Sequence, residues 1–319
     1  MAGMDQLAEL RARRIIAQGL HTPGRSAAEA ARWMLGVQGQ KYGDGIRALS
    51  LRGPRDDAAV LAAVDKHEVV RAWPMRGTLH FLPAEDARWM MRLCGPRVAR
   101  AQMQRRVGLG ITEPQVKAAR EALHSALRER PLTRPELYEV FAAAGVDPTE
   151  QRGPHLARAF GGEGDVVQGP RQGAVETFVH VDTLPVAQRE LAGEEALAEL
   201  GTRYLHSHGP ASVKDLVWWA GITVAQAKKA VALARDVVAF GDGFGDGYWM
   251  GEWQRDVDKR ELEEALATTY ELPAFDEILL GYGEKSLILP DELRPQVLTK
   301  NGLSWPFLMV DGVITGRAA

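Results

Sequence analysis

The chain has 319 residues, of which 45% are hydrophobic and 25% are charged; this composition is typical of globular proteins, and the length suggests more than one domain. The lone cysteine, Cys94, excludes an intramolecular disulfide and a multi-cysteine zinc site. No apolar run is long enough to span a bilayer, and the first residues, MAGMDQLAELRARR, lack the apolar centre of a signal peptide. We therefore expect a cytoplasmic protein that does not contact a membrane.

The net charge of −3 is distributed unevenly along the chain. Residues 1–130 carry a net charge of +9, and the remaining residues carry −12. A basic first part favours a protein that presents one face to a polyanion such as DNA. The alternative is a chance difference between two solvated surfaces.

Most of the chain has the apolar periodicity of helices. Helical spacing predicts helices within residues 5–19, 26–36, 56–66, 84–106, 114–129, 134–144, 193–208, 212–219 and 223–235. Ser26, Thr112 and Thr133 precede three of these segments and can cap them, because each offers a side-chain oxygen to amides of the first turn.

Short extended pairs separate the helices. Residues 68–82, 165–181 and 236–250 each predict a β-hairpin, and the glycine-rich stretch GDGFGDG, 241–247, is interpreted as a hairpin turn. Helices followed by a hairpin are typical of a winged helix, and RPLTRPELYEVFAAAGV and GPASVKDLVWWAGITVAQAKKAV each favour a helix-turn-helix. Such units bind DNA grooves or serve as structural spacers and protein docking units.

The predicted fold class is α+β, mainly α, with three tandem winged-helix units packed with a C-terminal β-barrel-like unit. After residue 256, alternating apolar runs with an Asn-Gly turn at 301–302 and an Asp-Gly turn at 311–312 predict antiparallel strands. The last strand stops near the end of the chain, so we expect this β unit to be incomplete. The expected domains are residues 1–110, 111–185, 186–256 and 257–319.

The stretch MLGVQGQKYGDG places two amide side chains, Gln38 and Gln40, where a helix ends at a glycine. In an extended segment residues i and i+2 point to the same side, so both amides would face one pocket. They could hold a water molecule or read a base edge without adding charge. The alternative is a pair of glutamines that closes a helix terminus.

Arg76, Thr78 and His80 alternate in MRGTLHFL, so we expect them to share one face of a strand. Arginine and threonine there could contact phosphates, and His80 could donate to a phosphate or a water. The alternative is a solvated strand face. The stretch RVARAQMQRR supplies four further candidates for contacts with a DNA backbone or for a merely solvated surface: Arg97, Arg100, Arg105 and Arg106.

Asp276 and Glu277, in LPAFDEILLGY, are carboxylates in an apolar context. One of them could act as a general base or stabilise a developing positive charge. The alternative is a structural pair that caps backbone amides. The histidines show no metal-ligand spacing, His206 and His208 are expected at the surface, and we predict neither a metal nor a cofactor.

Several stretches in order along the chain closely resemble the bacterial winged-helix DNA glycosylases of the AlkZ type. They are GVQGQ, RGTLHFLPA, RPLTRPEL, EALAELGTRYLHSHGPASVKDLVWW, LPAFDEILLGY and NG…VDGVITG. The resemblance implies three tandem winged helices gathered on a β-barrel. It also implies excision of bulky N7-alkylguanines, unhooking of interstrand crosslinks and, in some members, self-resistance to DNA-alkylating antibiotics.

In that family the catalytic signature is Gln-x-Gln, which Gln38 and Gln40 match, although Gly39 stands where relatives usually have a larger apolar residue. The resemblance therefore implies a monofunctional glycosylase acting on double-stranded DNA, with the two amides positioning water. His80, Arg76, Thr78 and Asp276 would support the site. The other hypothesis is a non-catalytic winged-helix DNA-binding protein or transcriptional regulator. We expect a monomer, and the sequence does not specify the alkyl adduct.

Overall fold

The computed structural model describes residues 4–241 and 247–318 and has an α+β fold. Its helices are α1 Gln6–Ala17, α2 Ala27–Met34, α3 Tyr42–Arg52, α4 Asp57–Asp65, α5 Ala87–Cys94, α6 Pro96–Gly108, α7 Glu113–Glu129, α8 Arg134–Ala143, α9 Arg152–Gly161, α10 Gly193–His208, α11 Val213–Ala220, α12 Val224–Leu233, α13 Lys259–Ala267, α14 Glu277–Leu280 and α15 Arg294–Val297. The strands are β1 Val37–Gln38, β2 Val69–Met75, β3 Thr78–Pro83, β4 Leu132–Thr133, β5 Val166–Gln168, β6 Thr177–His180, β7 Val237–Phe240, β8 Tyr248–Gly251, β9 Tyr270–Leu272, β10 Phe307–Val310 and β11 Val313–Arg317. No helix among the described residues is long and apolar enough to cross a membrane.

The chain forms two compact units. The first comprises Met1–Val60 and Ala192–Ala319, and the second comprises Leu61–Leu191. Both termini of the chain therefore belong to the same unit. The division into four domains stays a prediction.

Local capping chemistry defines several helix starts as the sequence predicted. The backbone N–H groups of Ser26, Thr112 and Thr133 each donate to the side chain three residues further along, at 2.8, 3.0 and 2.7 Å respectively. These reciprocal capping boxes satisfy amides that a helix start otherwise leaves without partners.

The helix predicted within residues 84–106 is interrupted. A short 3-10 turn leads into α5, which ends at Cys94, and α6 begins at Pro96. Proline has no N–H to continue the hydrogen bonding of α5, and it fits the first position of a new helix. A side chain at Gly95 would approach the carbonyl oxygen of Met91 to 2.4 Å, so the junction also requires a glycine.

Antiparallel strands and two layers of apolar side chains organise the second unit. Its strands lie in the order β3-β2-β5-β6-β4, and every neighbouring pair is antiparallel. Helices α7, α8 and α9 share a core with Phe178 of β6, whereas α5 packs with Val70 and Val167. The predicted hairpins at 68–82 and 165–181 are confirmed as β2–β3 and β5–β6.

In the described part of the first unit, strands β7 to β11 form two separate sheets. Strands β7 and β8 form the predicted hairpin, and Phe240 and Met250 from it pack with Leu10 of α1. Most of the predicted GDGFGDG turn lies outside the described residues. Strands β9, β10 and β11 form an antiparallel sheet in which Asp311 and Gly312 make the predicted Asp-Gly turn, with positive φ angles of 50° and 70°.

The part of the chain after residue 256 contains the predicted antiparallel strands, but it also contains helices that the sequence did not predict. Among the described residues, the three-stranded sheet β9–β10–β11 is open, not closed into a barrel, and helices α13, α14 and α15 lie in the same part of the chain. Aspartate side chains cap the first turns of two of these helices, α13 and α14. Asp258 accepts the N–H of Glu261 at 2.8 Å, and Asp276 accepts that of Ile278 at 2.9 Å.

Candidate active site

The Gln-x-Gln segment connects two helices of the first unit. Leu35 ends α2 in a left-handed conformation, with φ of 61°, and β1 follows. The strand ends at Gln38, and Gln40 lies in a bend just beyond it. Gln38 is 6% exposed, whereas the side chain of Gln40 lies at the surface. The two amides therefore lie in environments of different depth.

A buried carboxylate holds the backbone of Gln38. The Gln38 N–H donates to Glu277 Oε1 at 2.8 Å, and Trp219 Nε1 donates to Glu277 Oε2 at 3.0 Å. Glu277 is completely buried. The Oε1 of the Gln38 side chain is also buried, and it accepts no hydrogen bond from the described residues. The backbone of this glutamine is thus anchored while its carboxamide oxygen keeps its acceptor capacity.

A buried ion pair lies next to this carboxylate in sequence. Both oxygens of Asp276 accept from Arg52, at 2.7 and 2.8 Å, and both residues are almost completely buried. Burial alone would lower the pKa of Arg52, but the Asp276 carboxylate more than offsets it, so this pKa is raised. The arginine also donates to Gln18 Oε1 at 2.6 Å, and Gln18 Nε2 lies within 3.3 Å of the Glu277 carbonyl oxygen.

These contacts favour a structural role for Asp276. Its oxygens are occupied by a guanidinium and by the first turn of α14, and its exposure is zero. These contacts agree with the alternative of a carboxylate that caps backbone amides.

The expectation that His208 lies at the surface is wrong. Its side chain is fully buried, and its ring stacks on Tyr204 with centroids 4.8 Å apart. Nε2 lies 3.8 Å from Glu277 Oε2, and Nδ1 lies 2.8 Å from the hydroxyl of Ser207. Burial lowers the pKa of His208, so the imidazole is neutral near pH 7.

The second unit contains the other polar residues predicted from the sequence, but Arg76 lies outside the strand that carries Thr78 and His80. Arg76 lies in the β2–β3 turn with φ of 52°, and Gly77 follows with φ of 70°. Two successive positive φ angles are typical of the mirror-image turns that join antiparallel strands. Thr78 closes this turn, with its hydroxyl 3.3 Å from the carbonyl oxygen of Met75.

His80 does not lie on a solvated face, because its exposure is zero. Its Nδ1 is 3.0 Å from the carbonyl oxygen of Thr78, so the proton on this nitrogen is donated to the backbone. The alternation of polar and apolar residues in MRGTLHFL did not predict this burial, because β3 is buried on both faces. A direct contact between His80 and a phosphate is therefore not available in this conformation.

Helix α6 presents a basic surface, defined here as Arg97, Arg100 and Arg105. All three side chains are exposed, and none forms an ion pair within residues 4–241 and 247–318. Arg106 differs from them. It is 7% exposed and lies 3.3 Å from the Glu113 carboxylate, so the expectation that it contributes to the same surface is wrong.

A buried histidine near α6 was not singled out from the sequence. His155 of α9 is 4% exposed, and neither ring nitrogen has a hydrogen-bond partner in the part of the chain that is described. Burial, together with the charges of Arg106, Arg105 and Arg158, lowers its pKa to about 4. The His155 imidazole is therefore uncharged near pH 7, and the positive charge that α9 places near the basic surface comes from Arg158.

Metal chemistry has no obvious ligand set in the described part of the chain, where no group of three or more His, Cys, Asp or Glu side chains is placed to hold an ion. The groups available at Gln38 are its own neutral carboxamide and the buried carboxylate of Glu277, which binds its backbone N–H.

Comparison with known proteins identifies the family. The chain is 26% identical over 311 residues to a protein of Streptomyces sahachiroi named interstrand DNA cross-link repair glycosylase, covering 91% of this chain and 81% of that protein. The solved structure of the Streptomyces sahachiroi DNA glycosylase AlkZ has a similar fold, with a TM-score of 0.80 and 22% identity, covering 99% of this chain and 88% of that one. The family model "DNA glycosylase AlkZ-like" matches residues 31–319. The chain therefore belongs to the AlkZ-like family of DNA glycosylases, hydrolases that act on N-glycosyl bonds.

Proposed function

We propose that this protein hydrolyses the N-glycosidic bond of cationic N7-alkylguanine in double-stranded DNA, including guanines joined in an interstrand crosslink. The name of the Streptomyces relative supports the crosslink as a substrate. The product is an abasic site in an unbroken strand, because in this proposal water and not an enzyme amine attacks C1′. Such an activity would also give self-resistance to a DNA-alkylating natural product. The protein acts as a monomer in the cytoplasm.

The chemistry of the lesion explains why neutral side chains suffice. Alkylation at N7 gives the guanine a formal positive charge, so the base leaves without being protonated by the enzyme. An oxocarbenium-like sugar remains, and catalysis then requires a water molecule held for attack at C1′ and dipoles that stabilise the positive charge. In this proposal Gln38 and Gln40 hold that water.

The observation that carries the proposal is the buried Oε1 of Gln38, which accepts no hydrogen bond from the described residues. A buried acceptor without a partner is destabilising, so its presence suggests a ligand or water that satisfies it. Gln40 is exposed and can approach the same water from the solvent side. Both features agree with a site that binds water next to DNA.

Release of free base tests the activity directly. A duplex with one N7-methylguanine is incubated with the protein, and released 7-methylguanine is measured by chromatography. We expect Gln38→Ala and Gln40→Ala each to reduce the single-turnover rate by about 10- to 1,000-fold, which corresponds to about 1.4–4 kcal/mol of lost transition-state stabilisation. Gln296→Ala, an exposed glutamine of the same unit, is the matched control and should retain the rate.

A crosslinked duplex provides the second arm. Unhooking converts a duplex joined through two guanine N7 atoms into separate strands on a denaturing gel. Binding without any base release from either substrate would reject the proposal in favour of the non-catalytic DNA-binding protein or regulator.

We further propose that the basic surface contacts the DNA backbone. Each phosphate contact contributes about −0.9 to the slope of log K against log salt concentration, so replacing Arg97, Arg100 and Arg105 by alanine should make the slope less negative by up to about 2.7. Arg260→Ala is the control, since this exposed arginine lies 2.7 Å from Glu264. An unchanged slope in the triple variant would exclude the basic surface from DNA binding.

A further inference from the structure

Glu277 is separated from Gln38 by more than two hundred residues of sequence, yet its carboxylate touches the glutamine's backbone. The bond from the Gln38 N–H to Oε1 is 2.8 Å long, and the indole N–H of Trp219 occupies Oε2 at 3.0 Å. A carboxylate bound by two N–H donors in a buried site has a fixed orientation.

The backbone of Glu277 is fixed as well. It is the first residue of α14, and the preceding Asp276 caps this helix and binds Arg52 with both oxygens. Gln18 donates to the Glu277 carbonyl oxygen at 3.3 Å. Side chain and main chain are thus each held by separate partners, which leaves Glu277 little freedom to follow movements of the Gln-x-Gln segment.

The segment that Glu277 holds has little regular structure of its own. Between the end of α2 at Met34 and the start of α3 at Tyr42, only Val37 and Gln38 are in a strand, and Gly39 follows. The Oε1 of the Gln38 side chain accepts no hydrogen bond in the described structure, and the contact with Glu277 is a side-chain anchor for the backbone of this residue.

We infer that Glu277 is a positioning residue for base excision: by accepting the Gln38 N–H, it fixes the carboxamide that holds the attacking water. The inference rests on the proposed function. Glu277 itself touches neither the base nor the sugar, and its contribution is transmitted through the main chain of Gln38. Residues that orient the ligands of catalytic metals are worth about 10- to 100-fold in activity, and we expect a similar range for a residue that orients Gln38.

Glu277→Gln tests this role with little change in shape. In this variant the carboxylate becomes an amide with only one acceptor oxygen. That oxygen can accept from the Gln38 N–H or from the Trp219 indole N–H but not from both, so the other N–H faces an NH₂ group. We expect the single-turnover release of 7-methylguanine to fall by about 10- to 100-fold. The affinity for a duplex carrying a tetrahydrofuran abasic analogue should be unchanged, because Glu277 is buried and contacts no DNA.

Asp215→Asn is the matched control for general loss of stability. Asp215 is also a buried carboxylate of the first unit, and it accepts the backbone N–H groups of Ser212 and Gly283 at 3.0 and 2.8 Å. It should lower the melting temperature but leave the chemical rate unchanged. If Glu277→Gln fails to fold, Glu277→Asp replaces it, since a side chain one methylene shorter cannot keep the bond to Gln38.

Three results would overturn the inference: a wild-type rate in the folded Glu277 variant, a weaker affinity for the abasic duplex that accounts for the lost activity, or an equal loss of rate in Asp215→Asn. Wild-type protein and Gln38→Ala are assayed in parallel. No base release by the wild type means that the proposed function fails. An active wild type, an inactive Gln38→Ala and a fully active Glu277→Gln mean that only the positioning role fails.

Discussion

Replacing Asp276 by alanine should destabilise the first unit far more than a typical substitution does. The change leaves the Arg52 guanidinium buried without its two carboxylate bonds of 2.7 and 2.8 Å, and it also removes the cap on the Ile278 N–H. Removing one partner of a buried ion pair typically costs about 3–5 kcal/mol. Arg52→Met should cost a similar amount, because it leaves the Asp276 carboxylate unpaired.

The double variant Arg52→Met with Asp276→Leu distinguishes this explanation from simple loss of packing. It buries no unpaired charge, and the remaining cost comes from Gln18 Oε1 and the Ile278 N–H, each about 1–3 kcal/mol. Its destabilisation should therefore be smaller than the sum of the single variants by at least about 2 kcal/mol.

Urea unfolding followed by circular dichroism measures these differences. With a slope of about 3 kcal/mol per molar, each single variant should lower the midpoint by about 1–2 M. Arg260→Met, which removes an exposed ion pair with Glu264, should leave the midpoint unchanged. Additive single-variant effects, or an Asp276→Ala midpoint equal to that of the wild type, would refute the importance of the buried pair.

Two further predictions concern titratable groups of the second unit. The pKa of His155 is lowered from 6.5 to about 4, so the unfolded chain binds a proton at this site from about pH 6.5 downwards while the folded chain does not. Stability is therefore lost as the pH falls through this window, by at most about 3.5 kcal/mol at roughly 1.4 kcal/mol per unit. His155→Phe should lose less stability than the wild type between pH 7 and pH 4.5 in thermal melts, and an identical loss would contradict the assignment. Burial raises the pKa of the Cys94 thiol to about 12, so the native protein should not react with a thiol reagent at pH 8, whereas the unfolded protein should. Rapid stoichiometric labelling of the native state would contradict this prediction, because it would show that the thiol is accessible.

The sequence determined those features that neighbouring residues specify on their own. Capping residues such as Ser26 and Thr112 marked helix starts, because the stabilising bonds span three residues. The Asp311-Gly312 turn and the hairpins followed from residues that tolerate positive φ angles and from alternating apolar positions. The Gln-x-Gln stretch was also recognisable, since the type and spacing of its side chains are visible without a fold.

Tertiary structure decided how those residues are used. The contacts of Gln38 with Glu277 and of Arg52 with Asp276 join residues more than two hundred positions apart, and no periodicity within a segment encodes them. The burial of His80 and of Arg106 likewise depends on which elements pack over a strand or helix face. Local patterns report the preferences of one element, whereas burial and long-range pairing are properties of the packed chain, so only the folded structure separates a solvated polar residue from a buried one.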